Sequence, residues 1–126
     1  MPKKQSFLSE IEQTPSGSMK RHLRIVITDP DNDQNQVVVS VTTLKYQYQD
    51  KSCLIQPGEH PFIDSLSIVD FKRTRIMSYL QIFNGIRQGL LIRKEDISDE
   101  LLKKIQNAAA KSKYISDEIK NMFIYF

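Results

Sequence analysis

The chain has 126 residues, 40% of them hydrophobic and 26% charged, with a formal net charge of +3. These figures fit one ordinary soluble domain. No apolar run is long enough to span a bilayer, and the single cysteine, Cys53, excludes an internal disulfide. The opening MPKKQSFLSE has no apolar signal core, so the expected location is cytoplasmic. The mild positive charge permits a nucleic-acid partner without requiring one.

Residues 1–19 read as an N-terminal strand and loop. Phe7, Leu8 and Ile11 suit either a short strand or a helical turn, and TPSGS reads as loop. Residues 22–28, HLRIVIT, are the first clear strand, with a β-branched run suited to burial on both faces. DPDNDQNQ is a polar turn; it lacks the sixth-position glycine and final glutamate of a calcium loop. Residues 36–44, QVVVSVTTL, are the second strand and complete a hairpin. Thr42 and Thr43 stand at its end, one hydroxyl on each face. In 45–51, KYQYQDK, Tyr46 and Tyr48 share a face if the segment is extended. They could stack on unpaired bases, or the segment could equally be a strand edge or a loop that packs on the barrel.

The stretch from Ser52 to Ile63 organises the reading. Cys53 to Ile55 form a third strand, with Cys53 a small buried hydrophobe rather than a ligand or nucleophile. Pro57-Gly58 sets a tight turn, and Pro61 pushes the backbone of His60 towards extended geometry. A titratable ring on a stiff corner fits a site, and it fits a local hydrogen bond equally well. Residues 67–77, SIVDFKRTRIM, read as a fourth strand or a pair of strands. Its cluster of Lys72, Arg73 and Arg75 is the densest positive charge in the chain, able to neutralise phosphates or simply to be solvated.

Residues 78–126 read as helical. Leu80, Phe83 and Ile86 give a short amphipathic helix, weakened by Gly85 and stopped by Gly89. Ser98 caps a second helix whose Leu101, Leu102, Ile105, Ala108 and Ala109 have amphipathic spacing. Ser116 repeats the capping signature, and the apolar end NMFIYF should dock on the domain or on a partner. Strands followed by helices give an α+β fold: one domain, residues 1–126, with 20–77 as a small antiparallel β-barrel and the helices C-terminal to it.

The succession HLRIVIT, polar turn, QVVVSVTTL, CLIQPGEHPFI and SIVDFKRTRIMS with its short helix resembles the MazF/PemK/Kid toxins, over about residues 20 to 90. The resemblance implies an SH3-like barrel from a bacterial toxin–antitoxin pair. It also implies metal-independent cleavage of single-stranded RNA, no cofactor, a homodimer and an antitoxin partner. Carried across, the family's catalytic arginine falls at His22, and where the family has Arg-Pro this chain reads His22-Leu23. The catalytic threonine falls at Thr42 or Thr43. His22 and His60 are then the expected acid–base pair, which requires their rings to converge. Arg21, Arg24 and Arg73, with Lys72 and Arg75, are the expected phosphate contacts, and Tyr46 and Tyr48 the base contacts. The rival reading is a non-catalytic barrel that binds a protein or nucleic acid.

Overall fold

The computed structural model describes residues 3–13 and 17–126. Its strands are Ser6–Leu8 (β1), Glu12–Gln13 (β2), Met19–Lys20 (β3), Leu23–Val26 (β4), Asn35–Thr43 (β5), Leu54–Ile55 (β6), Ser67–Ser78 (β7) and Ile92–Lys94 (β8). Its helices are Tyr79–Arg87 (α1), Asp99–Lys111 (α2) and Asp117–Lys120 (α3), the last running into a 3-10 turn at Asn121–Tyr125. Six strands form one antiparallel sheet in the order β6-β7-β5-β4-β1-β8, and β2 pairs with β3 in a separate hairpin. The expected α+β architecture is the one observed.

Alternation along the central strands explains the layers. Leu23 and Ile25 of β4, Val37, Val39 and Val41 of β5, and Val69 and Phe71 of β7 enter the main core. Leu101, Leu102, Ile105 and Ala109 of α2 close over them, and Phe123 and Phe126 of the apolar tail pack alongside. Leu8 and Ile55, from strands near opposite ends of the order, belong to this same cluster, so the sheet is curled around it. The other face carries Phe7, Val26, Val38 and Met77, covered by Ile82 of α1 and by Leu91. Central strands buried on both sides read as unbroken apolar runs, which is why the valines of β5 show no polar alternation.

Both expected serine caps are in place, Ser98 and Ser116 accepting from the backbone N–H groups of Leu101 and Ile119, and Ser78 caps α1 in the same way through Gln81. Gly85 is a packing residue as well as a weak helix former, because a Cβ there would lie 2.6 Å from Leu91 Cδ1. Residues 45–51, open in sequence between a strand edge and a loop, form a turn: the Gln49 side chain accepts from the backbone of Lys45 and Tyr46 and donates to the Thr43 carbonyl. One expectation needs correction. The helical part also supplies a strand, β8, which pairs with β1. Strand β7 is continuous but bent. Ser40 pairs with Asp70 and Val38 with Arg75, so residues 71 to 74 stand against Val39 alone. Thr74 Oγ1 donates to the Phe71 carbonyl across the bend (2.8 Å).

The corner at Gln56 to Ile63 joins the sheet's two ends. Gly58 takes φ +89°, and Glu59 N–H bonds back to the Gln56 carbonyl, making the proline–glycine turn. His60 is 1% exposed. Its Nδ1 accepts from Phe62 N–H (3.0 Å), so the ring proton sits on Nε2. That proton points at the Glu95 carbonyl (2.8 Å), with Ser6 Oγ 3.1 Å away. Ser6 lies on β1 and Glu95 just follows β8, while the corner follows β6 at the other edge. Outside the ring, Glu59 pairs with Lys104 of α2 (3.0 Å), and Lys94 Nζ lies over the Phe62 ring. No helix among the described residues is long and apolar enough to cross a membrane.

Replacing His60 with alanine leaves a cavity and a Phe62 N–H without a partner, so it should cost about 2–4 kcal/mol of stability in urea unfolding. A loss below about 0.5 kcal/mol would show that the corner does not hold the sheet ends together.

Candidate functional site

Helix α1 covers only part of the second sheet face. Beyond it, the same alternation that places Val26 and Val38 under α1 places polar groups. One cross-strand row runs Arg24, Ser40, Asp70, and the next includes Thr42 and Ile68. Ser40, Asp70, Thr42 and Ile68 wall a cleft of about 450 Å³, and Arg24 is buried beside it. His22, Ser40, Thr42, Thr43, Asp70, Lys72 and Arg73 line it, with Lys20 from the small hairpin and Lys45, Tyr46, Tyr48, Gln49 and Asp50 from the turn after β5. The bend in β7 belongs to this design, since it allows Arg73 to meet both Asp70 (3.5 Å) and Glu12 (3.2 Å).

Glu12, carried by β2, is the electrostatic hub. Its Oε1 accepts from Arg24 Nη2 at 2.8 Å, and its Oε2 lies 3.2 Å from Arg73 Nη1 and 3.8 Å from His22 Nδ1. Burial alone would raise the Glu12 carboxyl. Hydrogen bonds from Arg24 and Ser9, with the positive charges around it, outweigh that and hold it below the usual 4.5. Burial pushes His22 below its usual 6.5; Glu12 opposes this, and Arg73, Lys20 and Arg24 add to it. His22 is therefore neutral at pH 7, the form that can accept a proton. Four buried polar atoms in this region have no hydrogen-bond partner among the described residues: His22 Nδ1, Arg24 Nη1, Ser40 Oγ and Asp50 Oδ2.

The structure brings together His22, Thr42, Thr43, Tyr46, Tyr48, Lys72 and Arg73 at the cleft. Arg24 lies against it through Glu12. The tyrosine rings stack at 5.2 Å with 8° between their planes, and Tyr48 is 71% exposed. Three expected residues are elsewhere. His60 is buried in the corner with both ring nitrogens engaged, so the two imidazoles do not converge. Arg21 braces the carbonyls of Ser9 and Leu90. Arg75 does not line the cleft, because the bend that turns Arg73 inward ends before it. Sequence reasoning missed Glu12, Ser40 and Asp70. Ser40, a lone hydroxyl inside a valine run, was the available signal; nothing near Glu12 in the chain announces a partner twelve residues away.

No family model matches the chain, and no curated protein matches it. Among solved structures, the chain is similar to one in the crystal structure of MazE-MazF (Form-III) from Deinococcus radiodurans. The TM-score is 0.50 and the identity 11%, over 87% of this chain and 92% of that one. The likeness is one of fold, a distant MazF-like barrel.

The lowered values of His22 and Glu12 have the same consequence for stability. In each case the unfolded chain takes up a proton first as pH falls, so the folded state loses stability on acidification. His22 contributes just below its usual 6.5, and Glu12 below 4.5. Glu59 and Asp99, also held low, add to the second range. In urea midpoints measured against pH, His22→Gln should flatten the fall just below about pH 6.5, and Glu12→Gln part of the fall below about 4.5. An unchanged slope in His22→Gln would show that the imidazole is not held neutral.

Proposed function

We propose that the chain is the toxin of a bacterial toxin–antitoxin pair, an endoribonuclease that acts on single-stranded RNA without a metal. The observation that carries this reading is the convergence on one open cleft of a neutral imidazole, two threonine hydroxyls, four cations and a stacked tyrosine pair. The MazF-like fold is in keeping with it.

In this mechanism His22 removes the proton from a ribose 2′-hydroxyl, and that oxygen attacks the adjacent phosphorus. The bond to the 5′-oxygen breaks, leaving a 2′,3′-cyclic phosphate on one fragment. The departing oxygen takes its proton from water in the open cleft, since His60 is not there to supply it. Arg73 and Lys72 neutralise the charge gathering on phosphorus, and the hydroxyl of Thr42 or Thr43 donates to a phosphoryl oxygen. Tyr46 and Tyr48 offer an aromatic surface to an unpaired base, as stacking requires. Arg24 supports the phosphate site from behind.

The partners belong to the same proposal. The exposed side of α1 carries Leu80 and Phe83, with Tyr79 stacked on Phe83, and Leu90 and Ile92 are exposed nearby. An apolar face of this kind suits the expected second copy and antitoxin. The proposed compartment is the cytoplasm, where such a substrate is found.

Purified protein incubated with single-stranded RNA in the presence of a chelator should yield fragments ending in 2′,3′-cyclic phosphate. His22→Ala should slow cleavage by about a hundredfold or more. His60→Ala, at a temperature where it stays folded, should cleave like the parent. Intact RNA with the parent protein would remove the nuclease reading, and tight RNA binding without cleavage would replace it with the binding module.

A further inference from the structure

Beside the cleft, its basic groups hold an anion already. Among the described residues Glu12 is the only carboxylate bound by Arg24, and it is shared with Arg73 and His22. Three positively charged or proton-bearing groups from β4, its approach and β7 thus surround one carboxylate. The fit is incomplete. Arg24 is 1% exposed, yet among the described residues its Nη1 has no partner, and the Ser40 hydroxyl beside it on β5 is buried and unpartnered too. An unmet buried donor is costly, so two in one place point to a ligand that the carboxylate replaces only in part.

The shape of the anion accounts for the remainder. A carboxylate is planar and offers two oxygens, both of which Glu12 uses on Arg24, Arg73 and His22. A phosphodiester is tetrahedral, so its oxygens leave that plane and can reach further donors. Exchanging one monoanion for another keeps the charge balance of the cluster, and the gain comes from the extra hydrogen bonds to Arg24 Nη1 and Ser40 Oγ.

We infer that Arg24, Arg73, His22 and Ser40 form a phosphodiester seat, and that the Glu12 carboxylate occupies it in the free protein as a built-in competitor. This rests on the nuclease reading only for the identity of the natural ligand. The seat itself follows from the geometry. Entry of a phosphate needs the Glu12 side chain to swing out, which is within reach because that side chain is 24% exposed. The groups that face Glu12 and set its charge are Arg24, Arg73, His22, Ser9 and, across the hairpin, Lys20.

The test uses probes that cannot be cleaved, so that it is independent of catalysis. Glu12→Gln keeps the shape and removes the charge. It should bind a short single-stranded DNA oligonucleotide about tenfold more tightly than the parent at equal ionic strength. Its melting temperature should also rise more steeply with inorganic phosphate. Equal or weaker binding by Glu12→Gln would overturn the inference. In the parent protein, the His22 ring resonances should shift on titration with inorganic phosphate, and no shift at saturation would overturn it even if the variant failed to fold. Tighter oligonucleotide binding by Glu12→Gln, with no RNA cleavage by either protein, would leave the seat standing and remove the nuclease.

Discussion

A single imidazole ties one end of the sheet to the other. The strand order is open, with β6 and β8 at its edges. A two-residue strand and a three-residue strand hold a curl poorly by their own ladders. His60 spans the gap from the corner after β6 to Ser6 and the Glu95 carbonyl beside β8. Because the ring is buried, these bonds are little weakened by competing water. Curling the sheet in this way gives the main core its shape. It leaves a concave seat for α2, into which Leu101 and Ile105 fit. The stiff backbone on either side, a proline–glycine turn before and Pro61 after, presents the ring at one angle.

The cleft is the complement of that core. The strands carry one apolar face throughout and a second that is apolar only where α1 lies. Where the cover ends, residues on the same alternating positions become Arg24, Ser40, Asp70 and Thr42. A buried arginine costs several kcal/mol to desolvate and recovers it only with good partners. Glu12 supplies one, and the unfilled Nη1 means the cluster is not arranged for stability alone. A site that holds strained or unsatisfied groups within an otherwise regular scaffold is where function departs from folding.

Much of the scaffold was legible in the chain. The β-branched runs located β4 and β5, and the long fourth strand emerged as β7, because two-sided burial writes itself into consecutive residues. Serine before an acidic or amphipathic turn located the starts of α2 and α3. Contacts between distant segments were not legible. Strand β8 depends on pairing with β1 some eighty residues earlier, and Ile92-Arg93-Lys94 has too little pattern to suggest it. For His60, the proline–glycine turn was legible, but a turn does not say what the ring faces. The cleft residues on β5 and the turn after it were found because they sit near one another in sequence. Glu12 was not, because a lone glutamate in a polar segment looks like solvent-facing charge until the fold lays it on Arg24 and Arg73.

The bend in β7 makes that strand two splints joined by a link of adjustable length. Its first half keeps register with Ser40 to Thr43 and walls the cleft; its second keeps register with Asn35 to Val38 and supports α1. Residues 71 to 74 belong to neither ladder, so a residue gained or lost there would change how far Arg73 reaches without disturbing either half. A barrel built this way can be reshaped at positions 72 to 74 with both hydrophobic layers left as they are, Phe71 staying in the core.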